Sequence, residues 1–176
     1  MLIQSYNKVY NDYFQSSGFN DSFMESLSIL KTKKKVFFIG NGGSNSICSH
    51  MMEDFAKIAK FQTFTFSDAS LITCFSNDYG YEKAMKEWLA IYMEEGDLLI
   101  AISSSGNSEN INQAVDFANQ TKADVITLSG FDKSNKLNKK GTVNFHIDSH
   151  SYGIVECFHQ VILHSLLDEY AETNKK

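Results

Sequence analysis

Two short segments of the sequence combine glycines with hydroxyl and amide side chains, and they directly follow apolar runs that end at Ile39 and Ile102. The segments read Gly40-Asn41-Gly42-Gly43-Ser44-Asn45-Ser46 and Ser103-Ser104-Ser105-Gly106-Asn107-Ser108. Glycine lets the backbone approach a ligand closely, hydroxyls donate to phosphate or sugar oxygens, and a helix that starts there adds free N–H groups. Either segment alone could be a flexible turn with a helix cap. Together they indicate a site for an anionic ligand.

The charged residues limit how such an anion can be bound. The chain has 176 residues, of which 16 are Lys or Arg and 21 are Asp or Glu, and its net charge is −5. Every one of those cations is lysine. Because arginine supplies bidentate phosphate contacts and guanine readout, its absence argues against a nucleic-acid partner. Backbone N–H groups, hydroxyls, amides or lysine must therefore bind the anion.

Cysteine usage and hydropathy bear on the compartment. Cys48, Cys74 and Cys157 are an odd number without metal-like spacing, which is typical of buried thiols in a reducing cytosol. Residues 1–8 contain no apolar signal region, and no apolar run approaches the ~18 residues that a membrane span needs. We therefore expect a cytoplasmic protein without a membrane partner.

Hydrophobic periodicity places both segments where a strand ends and a helix begins. Strands are predicted at 36–39, 61–66, 98–102, 123–128 and 143–147, and helices at 44–58, 81–93, 109–121 and 154–170. This alternation predicts an α/β fold, with a single doubly wound parallel sheet flanked by helices. Residues 1–34 are expected to form an N-terminal helical extension, broken near Gly18, with Asn20 or Asp21 capping its second helix. Residues 35–172 would form the domain itself.

Several motifs, in order and with matching spacing, carry a resemblance to a known family. They are Gly40-Asn41-Gly42-Gly43-Ser44, Ser67-Asp68, Asn77-Asp78-Tyr79-Gly80, Gly96-Asp97 and the six residues from Ser103 to Ser108. Together they resemble the sugar isomerase (SIS) domain of phosphoheptose isomerases over roughly residues 35 to 170. The resemblance implies that sedoheptulose 7-phosphate, a phosphorylated seven-carbon sugar, is converted to D-glycero-D-manno-heptose 7-phosphate. That product would enter bacterial heptose synthesis, for lipopolysaccharide or capsule.

The same resemblance assigns the substrate contacts. The hydroxyls expected to hold the phosphate are those of Ser103, Ser104, Ser105 and Ser108. The residues expected to line the sugar or to contact the substrate elsewhere are Asn41, Gly42, Gly43, Ser44, Asp54, Asn77, Asp78 and Glu156. Aldose–ketose isomerisation also moves a proton between C1 and C2 through an enediol, so it needs a base, an acid and a group that stabilises developing charge.

The acid–base and metal assignments also follow from the resemblance. It implies that Asp54 and His164 are catalytic, and that His50, Asp54, Glu156 and His164 bind one zinc ion per subunit. His50 and Asp54 stand one turn apart on a helix face, a chelating arrangement, and both are ordinary zinc ligands. The chain departs from the family in having Asp54 in place of Glu and Glu156 in place of Gln, which shortens one side chain and charges the other. Glu156 with His159 is a second possible pair on the last helix.

Glu156 and His164 raise a geometric question, because eight residues of a regular helix span roughly 12 Å. If both serve one site, either the last helix begins after Glu156 or the two residues come from different chains. The many apolar residues of that helix favour the second option, since they exceed what one sheet contact needs. We therefore predict a homo-oligomer with shared active sites, and the resemblance implies a tetramer.

Two other functions compete with the isomerase. A SIS-domain protein of the same branch could have lost catalysis and act as an adaptor for a protein partner. The acid–base residues argue against that reading, since an adaptor does not need them. The chain could also be a SIS enzyme for another phosphosugar, such as an amino sugar, because hydroxyl stereochemistry is read by pocket shape.

Overall fold

A parallel sheet with helices on both faces forms the body of the protein in a computed structural model that describes residues 2–174. Its strands are β1 (Lys35–Ile39), β2 (Gln62–Thr65), β3 (Leu98–Ser103), β4 (Asp124–Gly130) and β5 (Val143–Ile147), in the order β2-β1-β3-β4-β5. The helices are α1 (Leu2–Phe14), α2 (Ser17–Leu30), α3 (Gly43–Ala59), α4 (Ala69–Tyr79), α5 (Tyr81–Tyr92), α6 (Glu109–Gln120) and α7 (Tyr152–Thr173). All four strand pairs are parallel. The predicted α/β fold class is confirmed.

The central strands are apolar on both faces because helices cover both sides of the sheet. Val36 and Phe38 of β1 pack into a core with α2, α3 and α7, whereas Phe37 and Ile39 pack into a second core with α5 and α6. Every residue of β3 is buried. Continuous apolar strands of this kind are typical of parallel sheets that are covered on both faces.

The two central strands set the position of the site. β1 and β3 are neighbours in the sheet, but the helix after β1, α3, packs on one face and the helix after β3, α6, packs on the other. The chain thus leaves adjacent strands in opposite directions, and ligands of doubly wound folds bind in the crevice that this reversal opens. Both segments that the sequence singled out lie at this edge.

Two local features differ from the prediction. The N-terminal break lies before Ser17, because the Ser16 hydroxyl accepts a hydrogen bond from the Phe19 N–H at 3.2 Å and caps α2. The prediction that Asn20 or Asp21 caps this helix was wrong, since both residues and Gly18 lie inside it. Residues 69–79, for which no element was predicted, form α4. Asp68 caps it by accepting from the Leu71 N–H at 3.1 Å. Leu71, Ile72 and Phe75 lie at helical spacing and pack, partly buried, against the second core, a signal that the prediction missed.

The N-terminal helices cover the apolar surface of α7. The Phe158 ring stacks on Phe14 at 5.5 Å and meets Tyr10 edge-on at 5.7 Å. Apart from the half-buried Val161, the apolar side chains of α7 that suggested a partner helix are buried within this chain: Ile154, Phe158, Ile162, Leu163, Leu166 and Leu167. That premise for an oligomer was therefore wrong. None of the helices in residues 2–174 is long and apolar enough to cross a membrane.

Candidate active site

A cleft of about 260 Å³ lies at the carboxyl ends of β1 and β3. It is lined by Asn41, Gly42, Gly43, Ser44, Ile102, Ser103, Ser104, Ser105, Ser108, Tyr152 and Glu156. The glycine segment and the serine segment, more than 50 residues apart in the sequence, therefore face one space. Tyr152 was missed as a lining residue, because a lone tyrosine at the start of a helix gives no sequence signal.

The serine segment presents hydroxyls that the protein itself uses little. Ser104 Oγ is buried and finds no hydrogen-bond partner among the described residues, and Ser103 Oγ donates only to Ser108 Oγ at 3.2 Å. Gly106 makes the turn possible, since it has φ +66° and a Cβ there would lie 1.9 Å from Asn135 Oδ1. Because burying an unpaired hydroxyl costs free energy, a ligand oxygen in the cleft that Ser104 lines would supply the missing partner.

Two helix N-termini border the same cleft. α3 begins at Gly43 after Gly42, whose φ is +54°, and α6 begins at Glu109 after Ser108. Neither Gly42 nor Ser108 makes a side-chain capping hydrogen bond. The first N–H groups of both helices are therefore available, and together with the positive ends of the helix dipoles they favour an anion.

Glu156 brings a carboxylate to the edge of the cleft. It lies on the second turn of α7, so close to the glycine segment that a Cβ on Gly43 would lie 2.6 Å from Glu156 Oε1. A side chain at position 43 would therefore displace the Glu156 carboxylate from this position. Since a carboxylate repels a phosphate, we expect the phosphate on the serine side of the cleft and the uncharged part of a ligand beside Glu156.

Three other predicted site residues form a separate cluster between α3 and α7. Asp54 Oδ2 lies 3.5 Å from His50 Nε2 and 3.9 Å from His164 Nδ1, and one potential ligand atom from each residue lies within 4.8 Å of the other two. Zinc ligands at ~2.0–2.2 Å from the ion in a tetrahedral site are roughly 3.3–3.5 Å apart, so small side-chain shifts would let all three bind one ion. The side chains are 20% (Asp54), 37% (His164) and 44% (His50) exposed, so a ligand can reach them.

Neighbouring side chains orient the two histidines of this cluster. Glu53 Oε1 lies 3.2 Å from Nδ1 of His50, and the Gln160 side-chain amide lies 3.1 Å from Nε2 of His164. In each ring, the nitrogen without such a partner is the one that faces Asp54. This arrangement resembles the outer partners that fix the tautomer and direction of metal-binding or proton-transferring imidazoles.

Among the described residues, Glu156 lies outside the cluster of His50, Asp54 and His164. α7 runs from Tyr152 to Thr173, so both residues lie on one helix, roughly 12 Å apart along its axis. The structure therefore excludes a helix that starts after Glu156. Within one chain, the predicted four-residue zinc site is reduced to three residues, and Glu156 belongs to the cleft instead.

Asn77 and Asp78 do not line the cleft within the chain. They are exposed near the end of α4, where Asn77 Nδ2 donates to Asp78 Oδ1 at 3.0 Å. The suggested pairing of Glu156 with His159 was wrong, because His159 is fully buried with Nε2 3.2 Å from the Ser129 carbonyl. Burial lowers the pKa of His159 to about 4, so this imidazole is neutral in the folded protein.

Comparison with known proteins identifies the family. The SIS domain family model matches residues 24–130, and a curated phosphoheptose isomerase from Fusobacterium nucleatum is 35% identical over 150 residues, covering 82% of this chain and 77% of the relative. The chain belongs to the phosphoheptose isomerase family of SIS-domain proteins. A second phosphoheptose isomerase, from Photorhabdus laumondii, is 33% identical and covers 88% of this chain and 85% of the relative.

The fold of this phosphoheptose isomerase family member agrees with a solved relative. The structure of phosphoheptose isomerase from Neisseria gonorrhoeae superimposes with a TM-score of 0.86, covering 97% of this chain and 95% of that one, at 21% identity. Because the superposition covers 97% of this chain, it includes most or all of the N-terminal helices α1 and α2.

Proposed function

We propose that this protein interconverts sedoheptulose 7-phosphate and D-glycero-D-manno-heptose 7-phosphate through an enediol. The observation that carries the proposal is the cleft in which the glycine and serine segments meet, in a chain whose curated relatives are named phosphoheptose isomerases. The three cysteines are free thiols, as in proteins of a reducing cytoplasm, but only Cys48 is buried. The expectation of buried thiols was therefore wrong for Cys74 and Cys157, which are exposed.

The phosphate binds on the serine side of the cleft. Ser103, Ser104, Ser105 and Ser108 supply hydroxyls there, and the start of α6 adds backbone N–H groups. No arginine is needed, because neutral donors and a helix terminus can together bind a phosphate. The sugar then extends toward Asn41 and the glycines that precede α3, with Glu156 at its side. Asn77 and Asp78 would contact it only from another subunit.

Asp54 and His164 carry the proton transfers. We assign Asp54 as the base that removes the C1 proton of the ketose and returns it at C2, and His164 as the acid that serves the sugar oxygens. Asp54 Oδ2 faces both histidines, which leaves Oδ1 for the proton transfer. The resemblance places a glutamate at this position in the family, and aspartate is one methylene shorter. The sugar must therefore approach the helix that carries Asp54, α3, closely.

The cluster of His50, Asp54 and His164 also fits a metal ion. We propose one zinc ion per subunit, held by these three side chains, with a fourth position for substrate, as in catalytic zinc sites. Bound zinc would polarise the sugar oxygens as a Lewis acid and stabilise the enediolate charge. His164 would then serve as a zinc ligand, and its role as the acid belongs to the site without the metal.

We further propose that the active site is shared between subunits of a homo-oligomer, as the family resemblance implies for a tetramer. Glu156 lies in the cleft and His164 in the cluster, roughly 12 Å along α7, so one chain does not bring them to one substrate carbon. A cluster from a second subunit would complete the cleft. The partial exposure of His50 and His164 supports this arrangement, because a surface site is free to face another chain.

A second candidate substrate follows from Glu156. Its carboxylate stands beside the region proposed for the sugar and could pair with the ammonium group of an amino-sugar phosphate. A competition assay separates the two possibilities. If glucosamine 6-phosphate binds more tightly than sedoheptulose 7-phosphate, and Glu156→Gln reverses the preference, the substrate is an amino sugar.

The proposal is tested by incubating the purified protein with sedoheptulose 7-phosphate and following the sugar by NMR. We expect anomeric signals of the aldose to grow until equilibrium is reached, and a Ser104→Ala/Ser108→Ala double variant to be slower at low substrate concentration. A protein that binds the sugar phosphate but forms no aldose, with or without added zinc, would instead be an adaptor or sensor.

A further inference from the structure

The side chain of Asn41, in the glycine segment, is paired with a buried asparagine of α6. Asn41 Nδ2 donates to Asn110 Oδ1 at 3.0 Å, and Asn110 Nδ2 donates back to Asn41 Oδ1 at 2.9 Å. Asn110 is only 3% exposed, so this reciprocal amide pair is largely shielded from water. The pair joins the segment after β1 to the helix that follows the serine segment, and so connects the two halves of the cleft.

A sulfur atom determines which way both amides point. Asn110 Nδ2 lies 3.7 Å from the Met85 thioether sulfur, which can only accept a hydrogen bond. The Asn110 oxygen cannot occupy that position favourably, because it would face another acceptor. With Asn110 fixed in this direction, the reciprocal pair fixes Asn41 as well. If only the Asn41 amide were flipped, its oxygen would face the Asn110 oxygen and its NH₂ group would face the Asn110 NH₂ group.

A tyrosine completes the environment of Asn41. The Tyr81 hydroxyl, at the first residue of α5, donates to Asn41 Oδ1 at 2.8 Å. Oδ1 therefore accepts from both Tyr81 and Asn110, which uses its two lone pairs. Asn41 Nδ2 has two hydrogens, of which Asn110 takes one. What Asn41 still offers to the cleft that it lines is one N–H donor.

We infer that Tyr81, Asn110 and Met85 are positioning residues that make Asn41 a hydrogen-bond donor, and not an acceptor, toward the sugar. The inference rests on the proposed function. A donor fixed in direction suits an oxygen that gains negative charge as the enediolate forms, and it needs no reorientation during the reaction. It also selects a substrate that presents an oxygen lone pair there, in preference to one that presents only an N–H or ammonium group.

The first test compares two tyrosine-to-phenylalanine variants of α5. Tyr81→Phe frees one lone pair of Asn41 Oδ1 and loosens the amide, so kcat/KM for sedoheptulose 7-phosphate should fall about three- to tenfold, the value of one hydrogen bond. Tyr92→Phe, on the same helix and similarly exposed, is the matched control and should leave kcat/KM unchanged. The affinity for inorganic phosphate, measured by calorimetry, should be the same in both variants and the wild type.

The second test asks directly whether Asn41 donates or accepts. Asn41→Asp keeps an acceptor for Tyr81 and for Asn110 Nδ2, but it removes both the N–H that faces the cleft and the N–H that donates to Asn110 Oδ1. We expect kcat to fall at least about 100-fold, the scale of one lost donor to a developing oxyanion. Phosphate affinity measures how much of any loss comes from the added charge. Either of two results would overturn the inference. One is an unchanged kcat/KM in Tyr81→Phe. The other is an Asn41→Asp variant whose turnover falls by no larger a factor than its affinity for phosphate.

Failure of the proposed function gives a different result. If the wild-type protein does not isomerise sedoheptulose 7-phosphate, two affinities are measured for each variant, one for sedoheptulose 7-phosphate and one for inorganic phosphate. The ratio of the first to the second is then compared between variants. A ratio that falls in Tyr81→Phe and Asn41→Asp, but not in Tyr92→Phe, supports the donor without the isomerase. A wild-type protein that binds this sugar phosphate no better than phosphate contradicts both proposals.

Discussion

At the scale of single residues, the site depends on side chains that the fold leaves with unused hydrogen-bonding capacity. Ser104 Oγ is the clearest case, because it is buried and unpaired among the described residues. Asp54 is another, since its carboxylate faces two imidazoles on one side and remains partly exposed. Side chains left in this state favour binding of a complementary ligand, because each lacks a partner that the ligand supplies.

The serine hydroxyls give the first prediction. We expect Ser104→Ala and Ser108→Ala each to weaken sedoheptulose 7-phosphate binding by about 1–3 kcal/mol, the usual contribution of a hydrogen bond to a charged group. Calorimetry measures the change, and Ser134→Ala, an exposed serine of another loop, serves as the control. Wild-type affinity in both cleft variants would exclude the serine segment from the phosphate site.

The pair that we propose to be catalytic, Asp54 and His164, gives the second prediction. His164→Ala and Asp54→Asn should each lower kcat by at least ~100-fold, the usual effect of a positioned acid or base, while inorganic phosphate still binds. His150→Ala is the control, because His150 is exposed and outside the cluster of His50, Asp54 and His164. Normal turnover in both cluster variants would mean that other residues move the protons.

Metal dependence is the third prediction. Zinc measured by atomic emission should remain bound at about one ion per subunit after dialysis. It should be lost in His50→Ala but retained in His150→Ala, and a chelator should reduce activity in a way that added zinc restores. If the wild type binds no zinc and a chelator leaves its activity intact, the cluster works as an acid–base site alone.

At the scale of elements, α7 connects the functional side chains to the core. It carries Glu156 and His164, which are partly exposed, and it also carries the buried His159, whose pKa burial lowers to about 4 from an ordinary value of 6.5. The unfolded chain therefore binds a proton at this residue between those two pH values, whereas the folded protein does not. The free energy of unfolding should fall as the pH drops through that window, and the loss should be complete near pH 4.

This fourth prediction is checked by urea unfolding at a series of pH values. His159→Gln keeps an N–H that can donate to the Ser129 carbonyl but does not titrate, so its stability should depend less on pH between 6.5 and 4. His150→Gln, at an exposed position, should keep the wild-type dependence. Parallel curves for the wild type and His159→Gln would show that other groups control acid stability.

The N-terminal helices allow a fifth prediction, because the sequence pattern and the structure disagree about Gly18. The structure places Gly18 in the first turn of α2 with open space around it, so Gly18→Ala should stabilise the protein by about 0.5–1 kcal/mol. Gly96→Ala is the contrasting variant, since Gly96 also has open space but a φ of +85°, and it should destabilise. Destabilisation by Gly18→Ala, measured by urea unfolding, would favour a helix break at that position.

At the scale of the whole molecule, the sequence predicted what depends on local pattern and missed what depends on distant pairing. The strands were readable as short apolar runs, and the two ligand segments because the runs at Ile39 and Ile102 end in glycine or serine. The pairing of Asn41 with Asn110 was not, since it joins positions 69 residues apart and depends on the neighbouring strands β1 and β3. The spacing of His50 and Asp54 was visible on one helix, whereas His164 came only from resemblance to a family.

Sharing of the active site can be tested by mixing subunits. A Ser104→Ala/Ser108→Ala variant keeps the cluster of His50, Asp54 and His164, and a His164→Ala variant keeps the cleft, so at low substrate concentration each should be much less active alone than the wild type. If the cluster of one subunit completes the cleft of another, mixed oligomers should regain part of the wild-type activity after dissociation and reassembly. Light scattering reports the oligomeric state, and a fully active monomer would contradict the shared site.

The most direct measurement of the isomerase is conversion of sedoheptulose 7-phosphate in D₂O, followed by NMR at C1 and C2 of the sugar. An enediol route through Asp54, whose side chain is 20% exposed, lets the transferred proton exchange with solvent. We predict that D-glycero-D-manno-heptose 7-phosphate forms and carries deuterium at C2. An aldose without deuterium would contradict an enediol route in which the proton on Asp54 exchanges with solvent, and the absence of any aldose would contradict the isomerase itself.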